Sequence, residues 1–312
     1  MTASAPLFDE LYCLLDRDLD GCCRRDEPLS RHTSYRIGGP AALWVVADSI
    51  ADLRRVHEVA ARHGVEIVVL GRGTNILASD RGFEGICLVL GPSFRSASFK
   101  EDTATLTAGA GVLLARLVQE TQRAGLAGLE FAAGIPGTLG GAVAGNAGSR
   151  DEWIGALIIE VTVFAQDSGL RRLRAGDIDF SYRSSSLRDQ VTIVDGRLRL
   201  RPDDAQQIAS RIEGALTRRK ASQPLFSPSA GSVFKNPEGA SAGKLIEAVG
   251  MKGAVRGDAQ VSELHANFII NRGSARASDV AGLIAEVRDK VDSKYGIELK
   301  PEIRFLGTFD ER

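Results

Sequence analysis

Between Gly134 and Gly148 the chain reads Gly134-Ile135-Pro136-Gly137-Thr138-Leu139-Gly140-Gly141-Ala142 and then, three residues on, Asn146-Ala147-Gly148, a run with few side chains able to build a core. Such small residues lose much backbone entropy on ordering and bury little apolar surface in return. Two readings fit: a tightly packed set of turns between strands, or a loop ordered by a flat or phosphorylated ligand. Glycine is also the outlier of the composition, with 34 residues gathered between strand-like runs rather than spread as a repeat. Several loops are therefore expected to approach a ligand closely.

A chain of 312 residues exceeds one ordinary hydrophobic core, so two or three domains are expected. Hydrophobic residues at 44% and charged residues at 25% place it among folded rather than disordered proteins. The 39 basic residues nearly cancel the 40 acidic ones, which removes any general footprint for nucleic acid or an anionic membrane. An anionic ligand must then be held locally. The N-terminal run MTASAPLFDELYCLLDRDLDG carries acidic residues where an export signal is apolar, and no apolar stretch reaches the roughly 18 residues of a membrane span. A cytoplasmic protein with no nucleic-acid or membrane partner follows as the expectation. Cys13, Cys22, Cys23 and Cys87 show no metal-ligand spacing and are read as reduced thiols, with no metal site.

Periodicity predicts strands at 41–46, 66–70, 85–90 and 105–108, with helices at 50–63 and 112–124. After the glycine-rich connection come strands at 158–164, 170–173 and 191–200 and a helix from 202 to 219. The proline- and serine-rich segment Ser222-Gln223-Pro224-Leu225-Phe226-Ser227-Pro228 is the best candidate for a boundary or hinge. Beyond it the pattern predicts helices at 242–249 and 278–295 and strands at 266–271 and 303–306. The division is into residues 1–100, 101–222 and 223–312, an α+β arrangement.

Three motifs carry chemistry. Gly71-Arg72-Gly73-Thr74-Asn75 ends a strand, and its two glycines let backbone N–H groups approach an anion such as a pyrophosphate. Ile76 stands where a dinucleotide fingerprint needs a third glycine, and no Gly-Lys-Ser/Thr follows, so an ordinary turn is the competing reading. Ala230-Gly231-Ser232-Val233-Phe234-Lys235-Asn236-Pro237 puts a hydroxyl, an ammonium and an amide within five residues. No catalytic base pattern surrounds Ser232, which leaves it either a proton donor to a carbanion-like centre or a turn-bonding residue. Arg183 and Glu302 are charges in apolar surroundings; a planar guanidinium suits a carboxylate, and a lone Glu at a strand start is commonly a solvated edge residue.

In chain order these segments, with Thr33-Ser34-Tyr35-Arg36-Ile37-Gly38-Gly39-Pro40-Ala41, Tyr182-Arg183-Ser184-Ser185 and Pro301-Glu302-Ile303-Arg304, resemble the UDP-N-acetylenolpyruvoylglucosamine reductase (MurB) family from about Thr33 to Gly307. The resemblance implies a two-unit FAD-binding fold of the vanillyl-alcohol-oxidase (PCMH) type over 1–100 and 101–222, plus a C-terminal α/β substrate-binding domain over 223–312. Residues Gly71, Arg72, Gly73, Thr74 and Asn75, together with Gly134, Ile135, Pro136, Gly137, Thr138, Gly140, Gly141, Ala142 and Asn146, become the FAD cradle. It implies that NADPH gives hydride to the flavin, which passes it to the terminal carbon of the enolpyruvyl group of UDP-N-acetylglucosamine enolpyruvate, the small-molecule partner. Arg183 and Glu302 match the groups that polarise the substrate carboxylate, and Ser232 matches the proton donor. Tyr182, Lys235, Asn236 and His265 match substrate contacts, with Gln223 beside them, and a monomer is expected.

The stretch from Tyr182 to Ser222 lacks the tyrosine-bearing loop of one branch, so the chain resembles the shorter, second type. Asp258 in Arg256-Gly257-Asp258-Ala259-Gln260 departs from the expected Gly-Gly-Ala-Gln. Two rival readings are a flavin oxidase of the same fold and a non-catalytic flavin- or nucleotide-sugar-binding regulator. Ser232 with Arg183 and Glu302 argues against both.

Overall fold

The computed structural model describes residues 5–19, 22–149 and 151–309; the outermost residues of the predicted first and last domains lie outside these. Helix α1 (Ala5–Asp18) leads into β1 (Cys23–Pro28), β2 (Pro40–Ala47), α2 (Ile50–His63), β3 (Ile67–Val69), β4 (Ile76–Ala78) and β5 (Phe83–Leu90). Then come β6 (Ala97–Lys100), β7 (Thr105–Gly109), α3 (Leu114–Arg123), β8 (Leu126–Ala127), α4 (Leu139–Ala144), β9 (Ile158–Ala165) and β10 (Gly169–Arg174). The chain continues through β11 (Phe180–Ser181), β12 (Ser184–Ser185), β13 (Thr192–Arg199), β14 (Arg201–Pro202) and α5 (Ala205–Ser222). It closes with α6 (Ala242–Ala248), β15 (Val255–Arg256), β16 (Ala259–Val261), β17 (Ile269–Asn271), α7 (Ala277–Tyr295) and β18 (Arg304–Leu306).

Local chemistry accounts for most of these limits. The Ser49 hydroxyl accepts the Asp52 N–H at 3.0 Å while the Asp52 carboxylate accepts the Ser49 N–H at 2.9 Å, and Gly64 in the left-handed region ends α2. Asp204 caps α5 by accepting the N–H groups of Gln206 and Gln207, both at 3.0 Å. Three expectations change. The glycine-rich run contains α4 rather than an unbroken loop, because the Thr138 hydroxyl accepts the Gly141 N–H at 3.4 Å and caps a helical turn. The strand expected over 266–271 shrinks to β17, because Phe268 N–H donates to the His265 carbonyl at 2.9 Å and folds its first half into a turn. Helix α1 and strand β1, with its charged sequence Cys-Arg-Arg-Asp-Glu-Pro, fall outside the periodic pattern altogether.

Contacts divide the chain into two units interleaved along the sequence: Met1–Arg25 with Leu43–Gly71 and Gly85–Thr217, and Asp26–Ala42 with Arg72–Glu84 and Arg218–Arg312. In the first, an antiparallel sheet of order β10-β9-β13-β7-β6 forms the larger layer. His57 of α2 packs against Phe164 of β9 with ring centroids 5.1 Å apart and planes tilted by 44°, and its Nε2 lies 3.2 Å from the Thr192 hydroxyl of β13. Most of a second sheet, order β1-β2-β5-β3, belongs to the same unit, with β3 parallel to β5.

The second unit wraps α7 with an antiparallel β15-β16-β17 sheet and the parallel pair β18-β4. Val280, Leu283, Ile284, Val287 and Val291 of α7 share one core with Tyr35, Leu77 and Phe234. The first N–H groups of α7 find acceptors in Asp80, whose carboxylate takes Ala277 N–H at 2.7 Å and Ser278 N–H at 3.0 Å, while Asp279 takes Arg276 N–H at 2.9 Å. Asp80 thus neutralises orphan donors and the positive end of the helix dipole at once. Asp80→Ala is expected to destabilise the protein by about 1–2 kcal/mol in a denaturant melt, with unchanged slope. Asp258 likewise serves the local backbone. Its carboxylate accepts Ser274 N–H and its carbonyl accepts Arg272 N–H, both at 2.9 Å, which fixes the turn after β17.

Candidate active site

In the second unit the Ser232 and Glu302 segments run side by side. Phe234 bridges Pro301 in antiparallel fashion, Glu302 N–H donates to the Val233 carbonyl at 2.7 Å, and Lys235 N–H donates to the Lys300 carbonyl at 2.9 Å. The Asn75 amide then donates to the Glu302 carbonyl at 3.1 Å, and Arg304 N–H donates to the Asn75 carbonyl at 2.9 Å. One short pairing therefore ties the end of the Gly71–Asn75 loop to two of the three predicted catalytic segments. Among the described residues the Ser232 hydroxyl makes no hydrogen bond, which leaves the turn-bonding reading of Ser232 without support. Sequence reasoning missed Asn267. Its buried amide accepts Phe234 N–H at 3.0 Å and donates to the Phe234 carbonyl at 2.8 Å, gripping the segment that carries Ser232 as a neighbouring strand would. The available signal was an amide inside the apolar run Ala266-Asn267-Phe268-Ile269-Ile270.

The predicted substrate contacts of this unit have definite local partners. Asn236 Oδ1 accepts Ala242 N–H at 2.9 Å and starts α6. His265 Nδ1 accepts Asn267 N–H at 3.2 Å, so a neutral ring carries its proton on Nε2 and presents a donor there. Burial pushes the pKa of His265 down, and burial does the same to His57 in the first unit. Below the ordinary histidine value of 6.5 the unfolded chain takes up protons that these native rings still refuse. Stability is thus expected to be full above about pH 6.5 and to fall as the pH drops below it. Thermal melts between pH 5 and 8 test this, and replacing both histidines should flatten the slope.

In the first unit Tyr182 and Arg183 form the two-residue turn between β11 and β12, whose Ser181 and Ser184 pair across it. The guanidinium lies over the Tyr182 ring, 5.6 Å from its centroid, and Nη1 donates to the Gly148 carbonyl at 2.7 Å. Arg183 has φ 58, a conformation that non-glycine residues seldom adopt. Gly134 and Gly137 take φ 77 and 136, which explains a glycine at each.

The two glycine loops differ in what they offer an anion. Among the described residues the N–H groups of Arg72, Gly73 and Asn75 donate to no protein acceptor, so that turn is free to cradle a phosphate. The N–H groups of Leu139, Gly140 and Gly141, by contrast, already donate to Val112 O, Ala110 O and Thr138 Oγ1. The start of α4 therefore offers shape rather than donors. A Cβ on Gly140 would stand 2.8 Å from that of Ala110, so packing explains Gly140. On exposed Gly141 it would meet nothing closer than 3.6 Å, so protein packing does not account for the glycine there. The donors of the Arg72–Asn75 turn suit a phosphate, and the unobstructed surface at Gly141 suits a flat group.

Residues 41–174 match the model of the FAD binding domain, and residues 223–306 match that of the UDP-N-acetylenolpyruvoylglucosamine reductase C-terminal domain. Over 295 residues the chain is 44% identical to the UDP-N-acetylenolpyruvoylglucosamine reductase of Heliobacterium modesticaldum, covering 94% of this chain and 93% of that protein. The chain belongs to the UDP-N-acetylenolpyruvoylglucosamine reductase family. The reductase of Moorella thermoacetica is 46% identical over 282 residues, or 90% of this chain and 92% of that one. The crystal structure of the reductase (MurB) from Thermus caldophilus superposes with a TM-score of 0.78 at 35% identity, covering 89% of this chain and 97% of its own. The expected α+β architecture with a FAD-binding portion holds for this reductase family member. Both glycine loops fall inside the FAD-binding match, while Ser232, Lys235, Asn236, His265 and Glu302 fall inside the C-terminal one.

Proposed function

We propose that this chain binds FAD and, with NADPH as hydride donor, reduces the enolpyruvyl double bond of UDP-N-acetylglucosamine enolpyruvate to the lactyl ether of UDP-N-acetylmuramate, a peptidoglycan precursor. The observation that carries this reading is the antiparallel pairing that lays the Ser232 and Glu302 segments together and ties them to the Asn75 loop, in a chain similar to these reductases along nearly its whole length. The division of labour is residues 1–100 and 101–222 for FAD and 223–312 for the substrate. The protein works as a monomer in the cytoplasm, on a small molecule, without a nucleic-acid or membrane partner.

When bound, FAD supplies the hydride that reaches the terminal enolpyruvyl carbon. The electron pair of the double bond then moves through the inner carbon onto the carboxylate, which acquires enediolate character. Arg183, with its planar fork, and Glu302, by sharing a proton, stabilise that charge where it develops. Ser232 gives its hydroxyl proton to the inner carbon, completing the addition of a hydride and a proton, and recovers a proton from solvent. Tyr182, Lys235, Asn236 and His265 hold the substrate, His265 as a neutral donor through Nε2.

The purified protein should be yellow. Anaerobic NADPH should bleach it, and the enolpyruvyl substrate should restore the colour with one product formed per flavin. A colourless protein that does not take up FAD, or a reduced protein that only oxygen reoxidises, would overturn the reading.

A further inference from the structure

We infer that Asn146 is a positioning residue for Arg183 rather than a contact for the flavin, an inference that rests on the reading of Arg183 as the carboxylate-binding group. Arg183 occupies the second of the two turn residues between β11 and β12, at φ 58. A left-handed second residue is the place where such turns favour glycine, so an arginine is kept there only if its surroundings over-determine the turn.

Those surroundings are the segment that follows α4. The Asn146 amide donates to the Ser181 carbonyl at 2.8 Å, the Ser185 hydroxyl donates to the Ala144 carbonyl at 3.0 Å, and Arg183 Nη1 donates to the Gly148 carbonyl at 2.7 Å. Arg188 adds a longer bond, Nη1 to the Arg183 carbonyl at 3.4 Å. The carboxamide of Asn146 joins two elements, since its Oδ1 also accepts Gly155 N–H at 3.1 Å. Gly155 makes that approach possible, because a Cβ there would stand 2.8 Å from Oδ1. Asn146 is buried and itself left-handed at φ 43, a conformation asparagine tolerates better than most residues. Its side chain is thus directed at the hairpin and at the Gly155 turn. Without the bond to Ser181 the hairpin loses its central tie, and a guanidinium displaced by about 1 Å is enough to slow a reaction on the order of 100-fold.

The test compares four holoenzymes: Asn146→Ala, Asn146→Asp, Arg183→Gly and the double Asn146→Ala/Arg183→Gly variant. Asn146→Asp keeps an acceptor for Gly155 and removes the donor to Ser181, and it carries the same comparison if Asn146→Ala does not fold. Flavin content and the rate of bleaching by NADPH should match the native protein, while reoxidation by the enolpyruvyl substrate slows about 100-fold. The double variant should be no slower than Arg183→Gly alone, because both changes act through one guanidinium. Loss of flavin or slowed bleaching in the Asn146 variants would make Asn146 a cofactor contact and overturn the inference, as would effects that multiply in the double variant. If Arg183→Gly is slow while both Asn146 variants reoxidise normally, the inference alone fails. If Arg183→Gly reoxidises at the native rate, the role given to Arg183 fails instead.

Discussion

Replacing Ser232 with alanine is expected to leave an enzyme that NADPH bleaches at the native rate and that then stays reduced when the enolpyruvyl substrate is added. Removal of a positioned proton donor slows the step it serves by about 10²- to 10⁴-fold, and here that step belongs wholly to the second half of the cycle. The structure makes the experiment clean. The Ser232 hydroxyl has no hydrogen-bond partner among the described residues, and its segment is held from elsewhere, by Val233 N–H on the Asn267 carbonyl at 2.8 Å and by both ends of the Asn267 amide. Stability should therefore change by less than about 0.5 kcal/mol. Stopped-flow absorbance of the flavin separates the two halves. Reoxidation at the native rate by the alanine variant would remove Ser232 from the chemistry, and a slowed bleaching step would point to a misplaced cofactor instead.

Gly73→Ala should be among the most damaging single methyl additions in the second unit. A Cβ at Gly73 would sit 2.0 Å from the His32 carbonyl oxygen and 2.8 Å from the Thr33 Cα, both backbone atoms that no rotamer change can move. The residue is also left-handed, φ 59, so the substitution adds conformational strain to a direct clash. Ser34 N–H donates to the Gly73 carbonyl at 3.0 Å, and the Ser34 hydroxyl donates to the Ser229 carbonyl at 2.7 Å, so a displaced Gly73 disturbs the segment leading to Ser232. A loss of more than about 4 kcal/mol is expected, read as little soluble protein or a melt lowered by many degrees. Gly141→Ala is the contrasting control. Its Cβ meets nothing within 3.4 Å, and alanine favours helix over glycine by about 1 kcal/mol, so this variant should melt no lower than the native protein. It should nevertheless hold FAD more weakly. An unchanged flavin affinity would mean that the cofactor does not pass over α4.

Some of this is written in local chemistry. Helix α2 begins and ends at the residues its pattern and caps dictate, because Ser49, Asp52 and Gly64 act on backbone groups within one turn of themselves. The ordered motifs point to the family without any geometry, since a chain that must hold one cofactor and one reacting group repeats the same residue types in the same order. They also mark Arg183, Ser232 and Glu302 as candidates. How each candidate is held is not visible in them. Strand β4 exists because β18, from the far end of the chain, pairs with it in parallel, and a strand of three residues gives no periodic signal alone.

Helix caps, apolar faces, the glycines that need left-handed backbone and membership of the reductase family are all legible in the linear chain, because each depends on residues close together in it or on their order. The fold was needed to show that Asn75 bonds the Glu302 carbonyl, that Asn267 grips the Ser232 segment, and that Asn146 ties down the Arg183 turn. A polar side chain will satisfy its hydrogen bonds with whatever backbone comes near, and that partner is set by folding across scores of residues rather than by its neighbours in sequence.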